Sequence, residues 1–483
     1  MPNYIEREPC LSSLKFGTSG LRGLAQELDG APAYRFTRAF VAMLAERGVL
    51  SARTPDVLLG RDLRPSSLSI ACRCAAAIAD AGFRPLDCGA LPTPALALAA
   101  MRAHAPSIMV TGSHIPAGRN GLKFYRPDGE IDKADEEAIL RLHADLSLLP
   151  GDRSLAAQPF PGDAIAAYIG RYTAFFDAAN FAGLRVGVYQ QSSVARDLLV
   201  QILEAFGIET IPFARSDVFL PVDTEAVRAE DVTLMRQWAG ANPVDAIITT
   251  DGDADRPLIA DETGAFLRGD LVGALTAGHC GIRQIATPVT SNSRLETCGL
   301  FQTVVRTRVG SPYVIAALAE AVDDASPWIG FEANGGVILS HPISREGRTL
   351  AALPTRDAML PILAVLAEMA RQRRPLSQIV AALGFATALS TRIEHVGQER
   401  SAAFLERLRS PAFQHIFFEA VGGITAHDST DGERFSLQRG GTVHFRASGN
   451  APELRIYAEA DDAATAHSLL AWAEHAARKQ LGA

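Results

Sequence analysis

One pattern recurs along this chain: a short apolar run, a polar loop carrying glycine, then a stretch with helical spacing. Residues 57–60 (Val-Leu-Leu-Gly) predict a buried strand, and 69–82 a helix stopped by Gly82. Residues 108–110 predict a strand that opens into a loop at Thr111. The alternation returns as strand 185–189, loop 190–193 and helix 194–206, ended by Gly207. It returns again at 245–250, and at 285–289 with a helix expected from about Ser293. Alternating strands and helices dictate α/β units with mainly parallel sheets. Ligands of such folds sit at the carboxyl ends of the strands. The polar loops fall there in three widely separated regions, which points to three related α/β units rather than one long sheet.

The end of the chain reads differently. Residues 443–446 and 453–459 predict two strands around a Ser-Gly-Asn-Ala-Pro turn, and 463–481 an alanine-rich closing helix, together an α+β domain. A length of 483 residues accommodates this count. Linkers are expected at 148–161, 261–269 and 384–394.

Charge excludes several functions. Lys plus Arg is 46 and Asp plus Glu 54, a net charge of −8, so a general nucleic-acid or anionic-membrane binder is not expected. No apolar run reaches the ~18 residues of a membrane span, and the first ten residues do not read as a signal peptide. The six cysteines (10, 72, 74, 88, 280, 298) form no CxxC pair and no zinc spacing, which suits a reducing cytosol and a cytoplasmic protein. Only Lys15, Lys123, Lys133 and Lys479 interrupt the use of arginine. A retained lysine is notable because its proton, unlike arginine's, can be tuned away.

The sharpest motif is Thr249-Thr250-Asp251-Gly252-Asp253-Ala254-Asp255-Arg256. Alternate spacing lets all three carboxylates turn toward one point, and hard anionic oxygens favour Mg²⁺, Mn²⁺ or Ca²⁺. Arg256 offsets the excess negative charge. A second loop, Thr111-Gly112-Ser113-His114-Ile115-Pro116, leads to Asn120-Gly121-Leu122-Lys123. Its serine is not a GxSxG nucleophile elbow, because Ile115 stands at the last glycine. Phe16-Gly17-Thr18-Ser19-Gly20-Leu21-Arg22-Gly23 suits an anion. Gly330-Phe331-Glu332-Ala333-Asn334-Gly335-Gly336 suits hydroxyl recognition, and Arg446-Ala447-Ser448-Gly449-Asn450-Ala451-Pro452, with Arg455 beyond, suits a phosphate.

In this order the five motifs resemble the α-D-phosphohexomutase superfamily, from Phe16 to Ala460. DGDADR matches the metal loop outright, and FGTSGLRG matches the amino-terminal loop. TGSHIP is similar to the phosphoserine loop TASHNP, GFEANGG to a sugar loop of the form GE-x-S-G-H, and RASGNAP to the phosphate loop RxSxTxP. The resemblance implies four domains around one cleft, three mixed α/β units and a small α+β domain, at 1–155, 156–265, 266–385 and 386–483. It implies a phosphate carried on Ser113, and Mg²⁺ held by that phosphoserine with Asp251, Asp253 and Asp255. Arg22 and Arg256 would hold the transferring group. Lys123 is the leading general acid or base and His114 the second. Glu332 and Asn334 would meet the sugar, and Arg446, Ser448, Asn450 and Arg455 the distal phosphate. Asp62 and Arg64 are expected to form an internal ion pair. Asn334 and Gly336 stand where the family has Ser and His, which implies that one sugar or phosphate contact comes from elsewhere, and Ile115 replaces an amide beside Ser113, which removes a supporting hydrogen bond.

The implied reaction interconverts mannose 6-phosphate and mannose 1-phosphate through a phosphoserine enzyme and a bisphosphorylated hexose, which also serves as activator. Glucose phosphates are expected as further substrates. The alternatives are a glucose- or glucosamine-phosphate mutase, or a non-catalytic phosphosugar-binding protein on the same scaffold. The expected partner is a small phosphosugar, with the chain a monomer or homodimer.

Overall fold

The computed structural model describes residues 12–17, 20–146, 153–321, 326–448 and 452–482. In the first unit the parallel strands Ser107–Val110, Asp56–Arg61 and Arg84–Ala90 lie side by side. The antiparallel strands Arg119–Arg126, Gly20–Leu24 and Lys15–Gly17 extend the sheet on one side, and Gln158–Pro159 on the other. Side chains of a strand alternate between faces. Val57 and Leu59 therefore join a core with helices Ala31–Glu46 and Ser67–Asp80, while Leu58 joins another with helix Thr93–Ala103. Covering both faces is what makes 57–60 an unbroken apolar run.

The second and third units share one plan: three parallel strands and an antiparallel return. The order is Glu209–Arg215, Arg185–Gln191, Ala246–Thr250, Pro257–Asp261 in the second. In the third it is Thr303–Thr307, Gln284–Pro288, Trp328–Phe331, Val337–Leu339, Leu353–Asp357. The helix expected from Ser293 is only a 3₁₀ turn, Ser293–Glu296; the helix of that unit is Ser311–Glu320. Asn292 caps Arg294 N, but Gly299, at φ +76°, ends the run, and Arg306 gathers the carbonyls of Pro288, Ser291 and Asn292 instead.

The fourth unit is a five-stranded antiparallel sheet, ordered Thr387–Glu394, Glu453–Ala460, Thr442–Ala447, Glu433–Leu437, Ile424–Asp428. Only Glu453–Ala460 and Thr442–Ala447 are apolar enough to read directly. Thr387–Glu394 lies in the stretch expected to be a linker, because this edge strand is polar and half-exposed. Likewise Gln158–Pro159 completes the first sheet, while 147–152 lies outside the described residues. Residues 261–269 turn through Gly264 into helix Gly269–His279.

One apolar core runs through the first three units. At its seam, the hydroxyls of Tyr168 and Tyr172 donate to buried Asp357. The fourth unit has a core of its own and meets the third partly through polar contacts, among them Ser293 N to Glu459 and Val309 N to Asp431.

Candidate active site

Ser113 follows the carboxyl end of strand Ser107–Val110, at φ +54°. A non-glycine residue there costs about 1–3 kcal/mol and needs surroundings that fix it. Its N–H donates to Thr111 Oγ1 (2.7 Å), which donates to Asp62 Oδ2 (2.7 Å). The buried Arg64 guanidinium pairs with Asp62 (3.1 Å) and donates to the carbonyls of Ser113, Ile115, Pro116 and Arg119. Asp62 and Arg64 thus form the internal pair the sequence suggests, and their work is to hold the serine loop.

The aspartate loop leaves the wholly buried strand Ala246–Thr250. Gly252 permits its approach to the serine loop, since a Cβ there would lie 2.9 Å from Ser113 O. Ser113 Oγ donates to Asp251 Oδ2 at 2.5 Å. Asp253 Oδ2 accepts from Thr93 Oγ1 (2.5 Å) and Lys123 Nζ (2.6 Å). Asp255 Oδ2 accepts from Lys123 Nζ (2.6 Å) and Arg356 Nη2 (2.8 Å). One oxygen from each aspartate lies within 4.8 Å of the others. Asp253 Oδ1 and Asp255 Oδ1 are buried without a hydrogen-bond partner among the described residues. Unpartnered buried carboxylate oxygens are costly, and a hard cation satisfies them. The donor set therefore fits a divalent metal. Burial and the carboxylates of Asp253 and Asp255 raise the Asp251 carboxyl well above the usual range. Burial acts the same way on Asp255, but Arg356, Lys123 and Arg256 outweigh it and hold that carboxyl low.

All four units line one cavity of about 140 Å³. The first supplies Arg22 and His114, the second Arg256, the third Glu332 and Asn334, and the fourth Arg446, Ser448 and Arg455. His114 Nδ1 lies 3.3 Å from Ser113 Oγ, which joins the cavity to the serine. Arg256 Nη1 donates to the same Nδ1 at 2.9 Å. Arginine can only donate, so this nitrogen accepts and the proton of the neutral ring sits on Nε2. Burial, with Arg256 and Arg22 nearby, pushes the His114 pKa well down. Burial, with Arg256 and Arg356, lowers the Arg22 guanidinium to about 10.

Glu332 Oε1 accepts from Gly310 N (3.1 Å), and Oε2 from Asn334 Nδ2 (3.1 Å). Arg446 Nε pairs with Asp431 Oδ2 (2.8 Å), and Arg455 Nε with Glu453 Oε1 (2.9 Å). Asn450 lies outside the described residues. The sequence reading missed Arg356, Asp223 and Glu225, which also line the cavity. Arg356 lies next to the end of strand Leu353–Asp357, which the sequence marks only as part of a unit, and its one signal was indirect: the missing side chain at Gly336. Asp223 and Glu225 stand in an irregular loop with no motif around them.

The fold and the site define a phosphohexomutase architecture. Models of phosphoglucomutase/phosphomannomutase α/β/α domains I, II and III match residues 13–147, 166–264 and 261–384, and that of the C-terminal domain matches 405–473. A phosphomannomutase of Sinorhizobium fredii is 49% identical over 469 residues, covering 95% of this chain and 97% of its own. A phosphomannomutase of Salmonella muenchen is 41% identical, covering 93% and 92%. The solved structure of a phosphoglucomutase/phosphomannomutase family protein from Burkholderia thailandensis superposes with a TM-score of 0.75 at 19% identity, over 96% of this chain and 97% of that one. The chain belongs to the phosphoglucomutase/phosphomannomutase family. No helix of the described residues is long and apolar enough to cross a membrane.

Proposed function

We propose that the chain interconverts mannose 6-phosphate and mannose 1-phosphate, with glucose phosphates as second substrates, using Ser113 as the phosphate carrier. The observation that carries this reading is the Ser113 hydroxyl seated on Asp251, beside buried carboxylate oxygens that have no hydrogen-bond partner among the described residues. Recognition alone requires no such hydroxyl at a metal-fitting triad. The names of the two bacterial relatives support mannose.

Asp251, Asp253 and Asp255 would hold Mg²⁺, which when bound neutralises charge on the transferring phosphoryl group. The chain's own groups do the rest. A serine that carries phosphate divides the isomerisation into two in-line transfers. Ser113 Oγ gives its phosphoryl to a sugar hydroxyl, forming a bisphosphorylated hexose. The intermediate turns over in the cavity, and its other phosphate returns to Ser113. Arg22 and Arg256 stand where negative charge develops. Arg446, Ser448 and Arg455 suit the phosphate that is not reacting, which makes the transfer effectively intramolecular.

Lys123 is our choice for the proton of the sugar hydroxyl. It lies within 2.6 Å of two of the aspartates, while the Nδ1 lone pair of His114 is engaged by Arg256. His114 then serves as a neutral N–H donor. The test is a mutase assay on the 1-phosphates of mannose, glucose and glucosamine, with intact-mass analysis of the purified enzyme. Mannose and glucose turnover, with ~80 Da of phosphate mapped to the Ser113 peptide, is the expected result. A preference for glucosamine phosphate above ~100-fold, larger than one hydrogen bond supplies, would overturn the substrate choice. Binding without any turnover would overturn the enzyme.

A further inference from the structure

Gly336 closes the sugar loop without a side chain, and the space where one would begin is filled. A Cβ on Gly336 would lie 2.9 Å from Arg356 Cδ, 3.1 Å from Arg356 Cγ and 2.8 Å from the Asp255 carbonyl. Arg356 comes from the neighbouring strand Leu353–Asp357, which pairs antiparallel with Val337–Leu339. Its side chain is 2% exposed, yet it reaches the wall of the cavity. Nε and Nη2 donate to Asp255 Oδ2 at 3.2 and 2.8 Å, and Nη1 donates to Glu332 Oε2 at 3.3 Å. One fork therefore ties the aspartate loop of the second unit to the sugar loop of the third.

We infer that Arg356 is the positioning residue of the sugar loop, occupying the volume left by Gly336 and fixing the Glu332 carboxylate toward the phosphosugar. The inference rests on the mutase reading for the identity of the ligand. A buried cation needed only for charge balance would be satisfied by Asp255 alone. Arg356 instead gives donors to two carboxylates from different units, both at the site, with Glu130 of the first unit also near its charge. A lysine in its place would keep the charge, but its single ammonium lacks the planar fork that spans both.

A double-mutant cycle tests this, with binding of mannose 1-phosphate by calorimetry, turnover and melting temperature measured together. Arg356→Lys is expected to stay folded and to weaken phosphosugar binding about tenfold or more, the scale of coupling between neighbouring polar groups. In a Glu332→Gln background the same substitution should change binding less than about threefold, because its route to the sugar is already lost. Arg356→Met should show the same non-additivity, more strongly; if it does not fold, Arg356→Lys carries the cycle. Multiplying effects, or wild-type binding by Arg356→Lys, would overturn the inference. Wild-type binding without turnover would sink the mutase reading alone and leave the cycle readable. No binding of mannose, glucose or glucosamine 1-phosphate by wild type would sink both.

Discussion

Ser113 Oγ donates to Asp251 Oδ2 across 2.5 Å, so the proposed phosphate carrier and the proposed metal site are in direct contact. The backbone of Ser113 is held independently, by Thr111 Oγ1 and Arg64. Removing the hydroxyl should therefore spare the fold and abolish the chemistry. Ser113→Ala is expected to lower turnover by at least ~10³-fold, as losses of covalent carriers do, with little change in melting temperature. Near-wild-type turnover, with no bisphosphate activator added, would remove Ser113 from the mechanism.

Metal dependence follows from Asp253 Oδ1 and Asp255 Oδ1, buried carboxylate oxygens without a hydrogen-bond partner among the described residues. Activity is expected to vanish on exhaustive chelation and to return best with Mg²⁺, because the site offers only hard oxygens. Asp253→Asn should weaken metal binding and turnover together, since Asp253 also anchors Thr93 and Lys123. Calorimetric titration with Mg²⁺ measures the first effect separately. Full activity after chelation would contradict the assignment.

Much of this site was legible because its chemistry is local in sequence. Asp251, Asp253 and Asp255 share one loop, and Ser113 and His114 share another. Buried strands such as Ala246–Thr250 announce themselves as apolar runs. What stayed hidden depends on pairing over long sequence separation. Arg356 matters through Asp255, 101 residues away, and no local pattern marks that meeting. The outer strands of the fourth unit were hidden for a different reason. Ile424–Asp428 has only half-buried and exposed positions, so it lacks the alternation that betrays a strand. The 3₁₀ turn at Ser293–Glu296 shows the reverse error, where a good cap begins a helix that Gly299 prevents.

A pH prediction concerns the fourth unit. His444 is buried beside Tyr457, and its Nε2 donates to the Asp431 carbonyl at 2.6 Å. Burial lowers its pKa from 6.5 to about 4, against the partial support of that carbonyl. The folded state thus keeps His444 neutral in a range where the unfolded chain binds a proton. Stability from this group is complete above pH 6.5 and is lost as pH falls toward about 4, at most about 1.4 kcal/mol per pH unit. Thermal melts from pH 7.5 to 4.5 should show the decline. His444→Gln keeps a donor without the titration and should flatten part of it. Parallel curves for the two proteins would refute the assignment.

Arg446 tests the distal phosphate. Its guanidinium lines the cavity while Nε pairs with Asp431, which also accepts from Val309 N at 2.9 Å. Arg446→Ala should raise KM for phosphosugars by the ~1.5–3 kcal/mol of a charge-assisted contact, about 10- to 150-fold. Mg²⁺ affinity should change far less, because the aspartate loop belongs to another unit. Unchanged phosphosugar binding would put the phosphate elsewhere.

Glu332 is the proposed contact that glucose and mannose share. Oε1 is held by Gly310 N, and Oε2 by Asn334 and Arg356, so the carboxylate has one orientation. We propose, from its likeness to the carboxylate of the family's sugar loop, that it accepts from O3 and O4 of the ring, whichever way the intermediate faces. Glucose and mannose both carry these hydroxyls equatorially and differ only at C2, so Glu332 cannot separate them. Any preference comes from a contact at C2, and one hydrogen bond there is worth ~0.5–1.5 kcal/mol, roughly tenfold at most. Wild type should therefore turn over both phosphates, with mannose ahead by no more than about that factor. Glu332→Gln keeps the shape and removes the charge, at ~1.5–3 kcal/mol for a charged acceptor. It should lower kcat/KM for both sugars by similar factors, leaving their ratio near the wild-type value. Parallel kinetics on mannose 1-phosphate and glucose 1-phosphate measure that ratio, and a variant that lost one sugar while keeping the other would show that Glu332 reads C2 instead.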